Sequence, residues 1–293
     1  MRRISEDFLE VLKTGKFAHI TDFVRVDPYL DMEMRGNCVM VYYRGGKILT
    51  IKDDNTLEGL AEEYYLNPDD EHVLPSVDAI EAYFAHAKHI VDLHGASRYS
   101  KLGEKEFQQR VVFENNMSVN AENTDYFIAD VEWADNGKLG GRADIVAFRW
   151  NHLEHRNRVI QLTLIEIKQG ENAIKGRSGL SKHYEDFLKF RLDARYVESV
   201  ADDMLRVLKQ KIELGLVKGL DKLFEDGNHQ QKTPKIESEP DFIFLLANYH
   251  HYSTVLQKEC ENLPDDCKFI NASFCGYGLY KDLIKTKNEI NHP

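Results

Sequence analysis

Two segments of this chain carry charged side chains where a β-strand would be apolar. Gly141-Arg142-Ala143-Asp144-Ile145-Val146-Ala147-Phe148 is followed by Leu162-Thr163-Leu164-Ile165-Glu166-Ile167-Lys168-Gln169-Gly170. Side chains alternate faces along an extended strand, so Glu166 and Lys168 point the same way at the end of a β-branched run. Asp144 occupies a similar run one segment earlier. Burying such charges is costly unless they are paired or hold a metal. On neighbouring strands about 4.8 Å apart, Asp144 and Glu166 would converge at one sheet edge. Two carboxylates about 4 Å apart repel by about 4 kcal/mol at an effective dielectric near 20. Either one takes up a proton or a cation lies between them. Lys168 supplies one positive charge, and a hard divalent ion with oxygen ligands, Mg2+ or Mn2+, would supply the rest. The same residues admit a plainer reading, as solvated strand-end charges or a structural ion pair.

The elements that would position these groups can be traced along the chain. Glu104 to Asn115 has helical spacing, Tyr126 to Trp133 reads as a strand, and Asn136-Gly137 as a turn. Gly141 to Trp150 and Val159 to Lys168 are strands separated by the polar turn Asn151 to Arg158. Ser181 opens a helix with Glu185 nearby as a partial capping box. A further helix spans Val200 to Leu216, and Glu225 to Pro240 is a polar loop. Asp241 to Asn248 is a buried-type strand, Thr254 to Cys260 a short helix, and Phe269 to Phe274 a last strand. Strands interleaved with helices predict an α/β domain with a mixed central sheet flanked by helices. The first hundred residues read as an N-terminal accessory region. Its elements are a helix from Ser5 to Leu12, a hairpin of Val39 to Tyr43 and Lys47 to Lys52 around Arg44-Gly45-Gly46, and a helix from Val77 to Leu93. The expected division is therefore 1–100 and 101–293.

Composition bounds the function classes. With 293 residues, 42% hydrophobic and 30% charged, the chain is an ordinary globular one. No apolar leader follows Met1-Arg2-Arg3, and the longest clean apolar run, Phe242 to Ala247, is far short of a membrane span. Four scattered cysteines do not make a disulfide framework, so reduced thiols, a cytoplasmic location and no membrane partner are expected. The net charge of −11 argues against wholesale nucleic-acid binding. Yet Gly140 to Arg195 holds eleven basic and seven acidic residues, a local excess of four positive charges.

Asp144 with Glu166-Ile167-Lys168 resembles the motif of the PD-(D/E)xK nuclease superfamily, in which an Asp and then Glu-x-Lys on the next strand build a metal site. The likeness spans about residues 101–280 at fold level and implies a restriction-endonuclease-like fold. Ala143 stands where the family name puts proline, an exchange the family often makes. The resemblance implies a Mg2+-dependent nuclease hydrolysing phosphodiester bonds of nucleic acid, DNA before RNA, and it admits a homodimer. Asp144 and Glu166 would bind Mg2+ (or Mn2+), with the Ile167 carbonyl as a further donor. Lys168 would act as an electrostatic stabiliser, since carboxylates beside an ammonium favour its charged form. Glu106, on a helix before the strands, would orient a metal-bound water, with Glu104 and Glu114 as alternatives. The rival expectation is a catalytically inactive binding or scaffolding module on the same fold.

Other residues invite weaker readings. Gly170 to Tyr184 brings glycines and the basic residues Arg177 and Lys182 to the strand's C-terminal end, where a phosphate backbone could be met. Lys182 and His183 are the candidates for a polar residue facing the site from the next helix; a capped, glycine-rich connection is the bland alternative. Asp266-Cys267-Lys268 repeats the acid-x-Lys pattern but reads as a turn entering a strand. His86 and His89 are a helical turn apart without a completing ligand, and read as solvated. Tyr42, Tyr43, Tyr64 and Tyr65 read as packing residues before base-stacking ones.

Overall fold

The protein is described by a computed structural model covering residues 1–60, 73–98, 103–134, 142–151, 157–176, 179–225, 230, 232–247, 253–272, 279, 281 and 284–291. It divides into two compact units, Met1–Phe113 with Arg206–Val217, and Glu114–Leu205 with Lys218–Pro293. The boundary thus falls at 113/114, beyond the expected residue 100, and Arg206–Val217 returns to the first unit. The reason is burial: Val207, Leu214 and Leu216 join the core formed by the N-terminal residues. No local pattern in the sequence announces that return.

The first unit starts with α1 (Glu6–Lys13), whose N-cap Ser5 accepts the Phe8 N–H, with Glu6 and Asp7 in its first turn. Helix α2 (Ala18–Val26) follows. Strands β1 (Leu30–Met34), β2 (Cys38–Tyr43), β3 (Gly46–Lys52) and β4 (Leu57–Glu58) form an antiparallel sheet in that order. Helix α3 (Ile80–Arg98) and the start of α4 (Glu104–Asn116) complete it. Phe8, Leu12, Ile20, Met32, Leu49 and Phe84 lie in its buried core. The expected hairpin is present, and its turn is Arg44-Gly45, both at positive φ (49° and 77°), as a two-residue loop between twisted strands requires.

Gly45 is tightly constrained. Its N–H donates to Gln109 Oε1 at 2.8 Å, and a Cβ there would lie 2.5 Å from Lys105 Cβ. Gly45→Ala is expected to lower stability by about 1–3 kcal/mol from its left-handed conformation, with the overlap adding to that. A urea unfolding midpoint equal to wild type would contradict this.

Strand β1 carries two acids, Asp31 and Glu33. Glu33 is fully buried; Lys211 Nζ donates to its Oε1 at 2.6 Å, and Arg35 Nη1 lies 3.8 Å from Oε2. Burial, only partly offset by Lys211, pushes Glu33 up to about 7 and raises Asp31, two residues earlier, in the same sense. The folded chain therefore keeps a proton that the unfolded chain releases between about 4.5 and about 7. This contribution to stability is complete below the lower value and is lost as pH rises through the upper one. Urea midpoints compared at about pH 5 and about pH 8 should show wild type losing more stability on alkalisation than Glu33→Gln. Equal losses would refute the assignment.

The second unit is built on β5 (Tyr126–Ala134), β6 (Arg142–Trp150), β7 (Val159–Gln169), β8 (Lys235–Ile236), β9 (Asp241–Ala247), β10 (Lys268–Asn271) and β11 (Lys285–Thr286). Their order is β11-β10-β9-β7-β6-β5, with β8 pairing the start of β7. β5, β6 and β7 form an antiparallel meander, β7, β9 and β10 run parallel, and β11 is antiparallel. The sheet is mixed and the class is α/β, as the alternation of elements predicts. Helices α5 (Leu180–Leu192), α6 (Ala194–Glu213), α7 (Asp221–Phe224), α8 (Thr254–Cys260) and α9 (Lys287–Asn291) accompany it. Helix α5 starts one residue before Ser181 on an uncapped Gly179, so the expected cap is not used. Helix α6 starts six residues before Val200, where the Asp193 carboxylate accepts the Tyr196 N–H at 3.0 Å. The expected Asn136-Gly137 turn lies outside the described residues. Among those described, no helix is long and apolar enough to cross a membrane.

Candidate active site

The register of β6 and β7 assembles the site. Ile145 pairs with Ile165, so one residue further Asp144 comes level with Glu166, where the main-chain ladder ends. There the half-buried Asp144 replaces the missing backbone acceptor: its Oδ2 accepts the Ile167 N–H at 2.6 Å. This side-chain bond ties the acidic end of β6 to the residue between Glu166 and Lys168.

Glu166 and Lys168 share a face of β7, as a period of two demands. Lys168 Nζ donates to Glu166 Oε1 at 2.7 Å, and the two residues are only 5% and 4% exposed. The solvated strand-end reading is thereby excluded. A buried pair of this kind contributes little net stability, because desolvation offsets the attraction, so its presence needs another reason. The same oxygen, Glu166 Oε1, lies 3.1 Å from His183 Nδ1 on α5. Burial, and next the Lys168 charge, lower His183 to about 4, so its imidazole is neutral near pH 7. A carboxylate oxygen only accepts, so a hydrogen bond across this distance requires the hydrogen on Nδ1.

Aromatic packing sets the position of α5. Phe187 stacks on Phe242 with ring centroids 4.9 Å apart, Tyr184 meets Phe242 edge-on at 6.1 Å, and Phe242 meets Phe244 at 4.9 Å. Phe244 is the register partner of Glu166 across to β9. An apolar wall therefore stands beside the ion pair and lowers the dielectric around it. Gly170, at φ 72°, ends β7 and donates its N–H to the Ala247 carbonyl at 3.1 Å. Gly179 has no room for a Cβ, which would lie 2.8 Å from the Ile174 carbonyl oxygen, so the chain turns tightly into α5.

Lys182, Arg177 and Glu106 were the other residues expected at the site. Lys182 is exposed on α5 and pairs with Asp186 one turn on. Arg177 lies outside the described residues. Glu106 belongs to the first unit, where its Oε2 accepts from Arg44 at 3.3 Å and its Oε1 from Arg110 at 2.9 Å. Glu104 is exposed, and Glu114 Oε1 accepts from Asn120 at 2.7 Å. Sequence reasoning did not single out Glu132 of β5. Flanked by the paired residues Val131 and Trp133, it falls opposite Asp144 and holds a left-handed φ of 52°, which costs a non-glycine residue about 1–3 kcal/mol. Nothing in its local pattern marks it.

The second acid-x-Lys pattern resolves as expected. Lys268 begins β10, and its Nζ reaches both oxygens of Asp241 at 2.6 and 2.7 Å, a structural pair. Cys38, Cys260 and Cys267 are buried free thiols, and Cys275 is outside the described residues, as are Tyr64 and Tyr65. Tyr43 is engaged structurally, its hydroxyl on Asp92. Among the described residues no group of three or more His, Cys, Asp or Glu side chains is placed to hold a metal ion, so the site offers two carboxylates on adjacent strands. No family model matches the chain, and neither a curated protein nor a solved structure matches it.

Proposed function

We propose that this chain is a divalent-metal-dependent phosphodiesterase that cleaves nucleic acid, DNA before RNA, on a restriction-endonuclease-like scaffold. The observation that carries this reading is the register that sets Asp144, bonded to the Ile167 N–H, level with Glu166, beside an almost wholly buried Glu166–Lys168 ion pair. Charges kept in an apolar sheet end at so little gain in stability mark a functional site. The donor set suits a hard cation, because Mg2+ is held by one or two carboxylates while water and substrate phosphate complete its shell. Asp144 and Glu166 would hold it, with the Ile167 carbonyl in support. Bound there, the ion would offset their charge and polarise a phosphate ester.

The rest of the work falls to the chain. The Ile167 N–H keeps Asp144 oriented. Lys168 Nζ brings a positive charge to the same edge, suited to charge developing on phosphate oxygens. The wall of Tyr184, Phe242 and Phe244 strengthens both effects by excluding water. The basic excess between residues 140 and 195 supplies an attractive field for a polyanion within an acidic chain. Glu106 is left out of the cation site because arginines take both its oxygens.

The test is incubation with supercoiled plasmid and with single-stranded DNA in Mg2+, Mn2+ or EDTA, with Lys168→Ala alongside. Metal-dependent nicking or degradation that Lys168→Ala lacks is the expected result. Equal cleavage by both proteins would overturn the reading. The rival, a binding module on the same scaffold, draws on the net charge of −11 and on a site of only two carboxylates among the described residues. It predicts DNA retention in a mobility-shift assay with no cleavage under any metal.

A further inference from the structure

His183 was expected to face substrate. Its Nδ1 lies instead 3.1 Å from Glu166 Oε1, the same oxygen that accepts from Lys168. A carboxylate on a buried strand end can rotate about its last side-chain bond, and one donor on one oxygen restrains that rotation only weakly. A second donor from another element, His183 on α5 3.1 Å from the oxygen that accepts from Lys168 on β7, would fix both the plane of the group and the direction of its second oxygen. His183 is anchored by the residues that follow it on α5, Tyr184 and Phe187, both packed on Phe242. The opposing carboxylate, Asp144, is fixed in turn by the Ile167 N–H.

We propose that His183 is a positioning residue: its Nδ1–H holds the Glu166 carboxylate in the orientation that grips a divalent cation with Asp144. The role rests on the cation site proposed above. Metal ligands are commonly oriented by hydrogen bonds of this kind, and losing one costs about 10–100-fold in metal affinity. His183 thus acts through Glu166 and needs no contact with substrate or metal.

Three substitutions separate orientation from packing. His183→Ala removes donor and ring, His183→Asn keeps a donor near the Nδ1 position without the ring, and His183→Phe keeps the ring without the donor. Mn2+ is titrated calorimetrically into the full chain of each protein, and the His183 tautomer is read from side-chain 15N NMR shifts of the metal-free wild type. We expect an Nδ1–H imidazole, a Kd for Mn2+ raised about 10–100-fold in the Ala and Phe variants, and one within about threefold of wild type in the Asn variant. Recovery by Phe rather than Asn would overturn the proposal in favour of packing. An Nε2–H tautomer, or Mn2+ binding indifferent to all three changes, would also overturn it while leaving the cation site standing. A wild-type chain that takes up no Mn2+ would overturn the cation site and this role together.

Discussion

Asp144→Asn should lower phosphodiester cleavage by at least about 10²–10³-fold, the scale of losing one preorganised electrostatic contact, and leave the fold intact. Asparagine keeps a carbonyl oxygen where Oδ2 now accepts the Ile167 N–H, so the join between β6 and β7 survives. Only the negative charge is lost. Asp144→Ala removes the acceptor as well and should cost a further ~1–3 kcal/mol of stability, because the strand-end N–H loses its partner. Rates on plasmid DNA with urea unfolding of both variants separate the two effects. An Asn variant cleaving at the wild-type rate would remove Asp144 from the site.

Lys168→Met carries the second large effect, this time on stability. It leaves Glu166 buried beside an apolar side chain. Breaking a buried ion pair from one side costs about 3–5 kcal/mol. His183 Nδ1 stays 3.1 Å from Glu166 Oε1, and a donor there would put the expected loss near the lower end. Replacing both members, Glu166→Leu with Lys168→Met, should restore most of the stability, since apolar groups of similar volume are often neutral or better at such positions. Activity should stay absent in both proteins. Stability that returns while activity does not is the signature of charges retained for function. A double variant no more stable than Lys168→Met alone would show that the pair supports the fold and not the chemistry.

Much of this was legible in the chain. The β-branched runs of β6 and β7, each broken by charge near one end, indicated both the strands and a register that sets Asp144 level with Glu166, because a sheet has a period of two and a fixed strand spacing. The hairpin around Arg44-Gly45-Gly46 was equally plain, and its turn narrows to Arg44-Gly45 because Gly46 pairs with Tyr43. What escaped was non-local. Strand β1 buries Glu33 against Lys211, a partner 178 residues away that no local pattern supplies. The start of α6 was missed although Asp193 caps it, its signal lost among the charged residues around it. The end of α6 gave no hint that Val207 and Leu214 belong to the N-terminal core. His183 could be marked as polar and near the site, but its partner depends on how α5 docks through Phe187 and Phe242, which no spacing encodes. Glu106 had the right type and helix, yet Arg44 and Arg110 already neutralise it.

The most direct test of the account is anomalous diffraction at the manganese edge from crystals of the wild-type chain soaked in MnCl2. The account predicts one strong peak between Asp144 and Glu166, about 2.0–2.3 Å from an oxygen of each, a span typical of hard divalent ions. The Asp144→Asn protein should show no peak there under the same soak. A peak held by other residues, or none in the wild type at saturating Mn2+, would contradict it.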